Sequence, residues 1–173
     1  MKQAGFNFQD DTLEIVAAKI NTENDEYRYF IGIGGEYLVS SKLSFMGFEV
    51  LKASRDGTKE DLYIQHGKKT FGVQVKTSQK RADQKNKNKD VWSFDFRLKK
   101  TVNGQQISSN ETYNTHDIPI FACVCKEKEK VIFIENKSGN QMQYKFDHKD
   151  FDYATDKASI EALTKIFKRI NND

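Results

Sequence analysis

Between Asp61 and Lys76 the chain reads Asp-Leu-Tyr-Ile-Gln-His, then Gly-Lys, then Lys-Thr-Phe-Gly-Val-Gln-Val-Lys, two alternating runs about a glycine. A short turn centred on Gly67 and Lys68 pairs His66 with Lys69 and Gln65 with Thr70. Counting outward, Ile64 meets Phe71, Leu62 meets Val73 and Asp61 meets Gln74. Opposed residues of an antiparallel pair share a face with Cβ atoms about 5 Å apart, and a residue two further along a strand lies on that same face. One face therefore carries Leu62, Ile64, Phe71, Val73 and Val75, all apolar, while Asp61, Gln74 and Lys76 converge on the other. A slip of one residue would scatter both sets, so the register that builds a core also builds the polar group.

Around this hairpin the patterning alternates helix and strand. Leu13, Val16, Ala17 and Ile20 repeat at helical spacing and predict a helix over Thr12–Asn21, with Asp11 and Glu14 placed as a capping box. A second helix is expected to begin near Gly32, Gly34 and Gly35 and to run from Glu36 to Met46, with Gly47 as the residue just past its end. Glu36 shares a side with Val39, Ser40 and Leu43, which points its carboxylate toward the core edge. Phe48–Ala53, Asp61–Gln65 and Thr70–Lys76 read as an antiparallel three-strand meander. In Val91–Leu98, the residues Trp92, Phe94, Phe96 and Leu98 alternate with polar ones, as in a half-buried strand. Asn103–Thr115 is polar and without period and reads as a long surface loop. Strands Ile118–Cys125 and Val131–Glu135 follow, then a helix over Lys157–Ile170 capped by Thr155 or Asp156. The class is α+β, expected as a single domain over 1–173, with a basic loop at 77–90 and the polar loop at 103–115.

Charge is distributed unevenly. The whole chain of 173 residues carries only +3, yet from Lys68 to Lys100 eleven Lys or Arg face three Asp. The basic stretch of Lys80, Arg81, Lys85, Lys87 and Lys89 leaves the strand that carries Lys76. It fits either a solvated loop or a row of phosphate contacts. With 31% charged residues and short apolar runs, a membrane-spanning segment is excluded. No secretory leader is visible, and the expected location is cytoplasmic. Cys123 and Cys125 stand two apart on one strand, too constrained to bond to each other, and are expected as buried, reduced packing residues. Gly32-Ile33-Gly34-Gly35 lacks the spacing of a nucleotide-binding loop, and His116 reads as an exposed loop residue.

An acid, an amide and an ammonium beside one another fit a solvated polar face or a reaction centre. Lys76 follows Val75 in an apolar strand, where an ammonium is costly to bury without a role. The Asp61 carboxylate, the Gln74 amide oxygen and the Val75 carbonyl are hard oxygen ligands of the kind that suit Mg²⁺ or Mn²⁺. Such an ion polarises a phosphoryl oxygen and acidifies water, and Lys76 is placed to orient that water or to neutralise developing charge.

The segment Gly35–Val50 (GEYLVSSKLSFMGFEV), Asp61 within KEDLYI, and VQVKTS at Val73–Ser78 together resemble the PD-(D/E)xK nuclease superfamily, the restriction-endonuclease-like fold. They are most similar to members with Gln in place of the second acid, as in some homing endonucleases encoded by group I introns. The resemblance implies an αβββαβ core with a mixed central sheet flanked by helices. It implies Glu36 as the helix acid, Asp61 as the strand acid, Gln74 at the D/E position and Lys76 as the lysine. Glu36, Asp61, Gln74 and Val75 would then hold the metal, and the activity would be metal-dependent hydrolysis of DNA phosphodiester bonds. Glu60 stands where the family name has Pro. The neutral Gln74 keeps an alternative open: a nucleic-acid-binding domain of this fold that has lost catalysis, or an interaction module. Cutting both strands of a duplex calls for two sites, so a homodimer or homotetramer is expected by analogy.

Overall fold

A computed structural model describes residues 25–53, 59–78, 81–82, 90–102, 105–137 and 143–172. The helix expected over Thr12–Asn21 and the lysines Lys80, Lys85, Lys87 and Lys89 lie outside the described residues. Helix α1 spans Asp25–Phe45. It therefore starts well before the predicted point, and Gly32, Gly34 and Gly35 lie inside it instead of at its entry. A glycine weakens a helix by about 1 kcal/mol relative to alanine, but at Gly35 close packing requires one. A Cβ there would meet Thr77 Oγ1 at 1.9 Å. The far end of α1 closes as its sequence suggests: Gly47 sits at φ +86°, and Phe48 N–H and Gly47 N–H reach the Leu43 and Ser44 carbonyls, both at 3.0 Å. That is the Schellman pattern, for which glycine is the favoured residue.

The chain continues through β1 (Glu49–Lys52), β2 (Leu62–His66) and β3 (Lys69–Ser78) as an antiparallel meander. The β2–β3 register is the expected one, with Leu62 opposite Val73, Ile64 opposite Phe71 and His66 opposite Lys69. Then come β4 (Arg81–Ala82), β5 (Asp90–Asp95), β6 (Arg97–Val102) and β7 (Gln105–Thr112). The chain returns as β8 (Ile120–Cys125), parallel to β3, and turns back antiparallel as β9 (Lys130–Glu135). The main sheet has the order β1-β2-β3-β8-β9. β10 (Gln143–Asp147) pairs with β5, which also pairs with β4, in a second sheet. The short helix α2 (His148–Asp152) and the long α3 (Asp156–Asn172) complete the described fold.

Four expectations change. A parallel pair needs a long crossover, and the resemblance implies a helix in it. Among the described residues the β3-to-β8 crossover is built of strands. The polar loop at 103–115 is largely β7, paired with β6 in a two-stranded ribbon. Its residues are mostly polar, so no apolar alternation marks the strand. The basic loop at 77–90 likewise contains β4. The strand expected over Val91–Leu98 divides at Phe96, where the Asp95 carboxylate accepts the Arg97 N–H at 3.0 Å and its guanidinium at 2.9 and 2.7 Å.

The main sheet is buried on both faces, which is why β8 is apolar along its whole length with every residue buried. One face packs Leu62, Ile64, Val73 and Val75 against Val39 and Leu43 of α1 and Leu163, Ile166 and Phe167 of α3. The other packs Phe121, Cys123 and Cys125 against Trp92, Phe94 and Phe96 and against Phe151 of α2. Both cysteines are free and buried, as anticipated. Thr155 caps α3, its hydroxyl accepting the Ala158 N–H at 3.2 Å. No helix among the described residues is long and apolar enough to cross a membrane.

Candidate active site

Asp61 lies one residue before β2, and its N–H donates at 3.0 Å to the carbonyl of Val73, the residue already opposite Leu62, so the ladder ends at Leu62–Val73 and the expected Asp61–Gln74 pairing is replaced by a side-chain contact. Its Oδ2 accepts the Val75 N–H at 2.7 Å and the Gln74 amide N–H. Gln74 is buried, and the same amide nitrogen faces the Val75 carbonyl at 3.3 Å. Both neighbours are acceptors, so the amide presents N–H₂ to them and not its oxygen. The sequence suggested the amide oxygen as a metal ligand. That role requires the terminal amide to turn over, so that a cation takes the place of the N–H donors between Asp61 and Val75.

Burial pushes the Asp61 carboxyl up to about 6; the Val75 N–H holds it down, the nearby charge of Glu36 raises it, and Lys76 and the Gln74 N–H lower it. Glu36 comes from α1, close enough for its charge to be felt at Asp61, but its carboxylate is paired with Lys52 Nζ at 3.3 Å, a half-exposed partner on β1. The Asp61 carboxylate beside the Gln74 amide and the Val75 carbonyl, with the charge of Glu36 near, is a set of hard oxygens that fits a divalent cation, which would relieve the repulsion between the two acids. Among the described residues no three His, Cys, Asp or Glu gather as a metal cluster. A cation at Asp61 therefore depends on the neutral oxygens of Gln74 and Val75 to complete its protein shell.

Lys76 shares the sheet face of Gln74, with Cys123 as its partner in β8. Its Nζ donates to the Tyr113 hydroxyl at 2.9 Å and lies 4.8 Å from the centre of that ring. Desolvation lowers the Lys76 pKa, against the opposing pull of Asp61 and Asp95. Tyr113 is buried, and its hydroxyl is pushed up to about 12, first by burial and then by Asp61 and Asp95. It is therefore a neutral phenol that accepts from the ammonium. Its backbone is pinned from β9's end: the buried Asn136 amide donates to the Tyr113 and Ile118 carbonyls at 3.1 and 2.9 Å.

Of the residues singled out from sequence, Glu36, Asp61, Gln74, Val75 and Lys76 thus gather at one end of β3. Arg81 is in β4, beyond the end of β3. The other basic candidates fall outside the described residues. Tyr113 and Asp95 were missed, since nothing in a polar run marks a tyrosine 37 residues downstream as the partner of Lys76.

A five-stranded mixed sheet with helices α1 and α3 on one face matches the restriction-endonuclease-like fold. A solved structure of this kind, the bacterial homing endonuclease I-Ssp6803I, is similar over 84% of this chain and 96% of its own, with a TM-score of 0.61 and 17% identity. The Holliday junction resolvase Hjc of Archaeoglobus fulgidus overlaps more loosely, over 71% of this chain and 96% of that one, with a TM-score of 0.34 and 12% identity. No protein-family model and no curated protein matches the sequence.

Proposed function

We propose that the chain is a metal-dependent DNA endonuclease that hydrolyses phosphodiester bonds at the Asp61–Lys76 centre. The observation that supports it above all is the meeting of a partly buried carboxylate of raised pKa, a buried amide, a strand carbonyl and a partly buried lysine on this fold. Glu36, Asp61, Gln74 and the Val75 carbonyl would hold Mg²⁺ or Mn²⁺. The bound cation supplies charge neutralisation at the scissile phosphate and a more acidic water.

The chain's own residues do the rest. Lys76 has three N–H donors; one is committed to Tyr113, and two remain to orient the attacking water and to bond a phosphoryl oxygen. Tyr113 holds the ammonium in place without competing for its charge. Lys80, Arg81, Lys85, Lys87 and Lys89 follow β3 and lie along the DNA phosphates. Two copies, as a homodimer or homotetramer, present two such sites to the two strands of a duplex.

The direct test incubates the purified protein with supercoiled, linear, branched and single-stranded DNA, with and without Mg²⁺ or Mn²⁺. Cleavage only with metal is the expected result. Salt-sensitive binding with no cleavage of any substrate overturns it in favour of a DNA-binding domain of the same fold, a reading that the neutral Gln74 and its bond to Asp61 favour.

Gln74→Glu adds a third acid. Calorimetry is expected to register metal binding roughly tenfold tighter, as affinity follows ligand charge. An unchanged affinity removes Gln74 from the ligand set. Tyr113→Phe keeps the ring against Phe121 and deletes only the hydroxyl. The single-turnover cleavage rate is expected to fall about tenfold, with DNA affinity in Ca²⁺ unchanged. In a Lys76→Ala background the same change is expected to do nothing further, and independent effects there would separate Tyr113 from Lys76.

A further inference from the structure

β6 and β7 pair with each other through Lys99–Ser108, Thr101–Gln106 and Val102–Gln105, and among the described residues neither strand belongs to the two larger sheets. Both ends of this ribbon are anchored at one residue. Phe96, just before β6, stacks on Phe121 at 4.1 Å and 10°, and Tyr113, just after β7, meets Phe121 edge-on at 5.7 Å and 76°. Phe121 is the register partner of Gln74, and Tyr113 holds Lys76. The ribbon therefore springs directly from the wall of the candidate active site.

Its composition is unusual for a strand pair. Residues 97–112 read Arg-Leu-Lys-Lys-Thr-Val-Asn-Gly-Gln-Gln-Ile-Ser-Ser-Asn-Glu-Thr; Arg97 is paired with Asp95, and beyond it two lysines stand against one acid. Amides and hydroxyls make up most of the remainder. By register, the positions of Lys99, Thr101, Gln106 and Ser108 fall on one face, every one a hydrogen-bonding residue. Lys and Gln are the residue types that pair with the major-groove edges of guanine and adenine, and that groove admits a two-stranded ribbon.

We infer that the β6–β7 ribbon is a DNA-reading arm that enters the major groove beside the scissile phosphate, with Lys99 and Gln106 among its base contacts. The inference rests on the DNA-directed reading of the site, and its basic excess matches that partner. β7 has eight residues, so the arm is about 25 Å long at about 3.3 Å per residue. It reads base pairs within one helical turn of the active site.

The test uses the full chain in Ca²⁺ with a pool of duplexes randomised over about 30 base pairs, and sequences the bound fraction. The parent is expected to enrich a motif. Lys99→Ala combined with Gln106→Ala is expected to relax preference about tenfold at some positions of that motif while the melting temperature stays put. Should the double variant fail to fold, dimethyl sulfate protection of guanine N7 by the parent protein decides the matter, because N7 lies in the major groove. Protection is expected. An identical motif from the double variant, or bound DNA with N7 unprotected, overturns the arm. Cleavage in Mg²⁺ with no enriched motif overturns the arm and leaves the nuclease reading standing. An arm-dependent motif without cleavage does the reverse.

Discussion

Asp61→Asn is expected to abolish cleavage and, at the same time, to make the protein harder to unfold at neutral pH. The folded-state pKa of Asp61 is raised from an ordinary 3.8 to about 6. Between those values the folded chain holds a proton that the unfolded chain has released, so stability falls as pH rises through this window. The contribution is fully present below about pH 4 and lost above about pH 6. Some two pH units at 1.36 kcal/mol each make the ionised carboxylate a liability of about 2 to 3 kcal/mol at pH 8. Asparagine keeps an oxygen to accept from Val75 N–H and Gln74 and removes the charge. Urea unfolding without divalent metal is expected to give the variant an advantage of about 2 kcal/mol at pH 8 that vanishes near pH 4. Cleavage in Mg²⁺ is expected to fall about a thousandfold or more. Equal loss of stability at both pH values would mark Asp61 as a structural acid.

The second large effect belongs to Lys76. Lys76→Ala is expected to lower single-turnover cleavage by about a hundredfold or more, a size typical of lost charge stabilisation. It deletes the Tyr113 bond and the ammonium near Asp61, but no contact assigned to the DNA backbone. The slope of log affinity against log salt, measured in Ca²⁺, is therefore expected to stay within about one unit of the parent. Replacing Lys85, Lys87 and Lys89 together is expected to do the converse and flatten that slope by about 2 to 3, at about 0.9 per phosphate contact. Parental cleavage by Lys76→Ala removes the lysine from the chemistry.

The site was legible where strand geometry alone decides it. The period-two rule set Gln74 and Lys76 on a common face, and the apolar set Leu62, Ile64, Phe71 and Val73 left no second register; Asp61, just outside the ladder, reaches Gln74 through its side chain. Less could be read wherever a partner far along the chain decides. Three glycines near a helix start look like a boundary, but Gly35 is tolerated inside α1 because Thr77 lies 42 positions later against its bare Cα. The ribbon's polar residues gave no alternation, although Asn103-Gly104 between the paired Val102 and Gln105 is a strong hairpin signal that composition masked. β10 and α2 were overlooked. The capping box of α2 uses Asp147 and Asp150, with the Lys149 and Asp150 N–H groups bonding to Asp147 at 2.9 and 3.2 Å, in a charged stretch too short for a helical period.

The parallel pairing of β3 with β8 bears on the order in which the molecule matures. Lys76 and its register partner Cys123 stand 47 positions apart in the chain, and such distant pairings are slow to form because the entropy of closing the loop must be met first. A nascent chain carries Asp61, Gln74 and Lys76 long before it carries the Tyr113 that restrains the lysine or the β8 strand that walls it in. The candidate groups thus meet first on an unfinished hairpin, and the wall around Lys76 is closed when β8 joins β3.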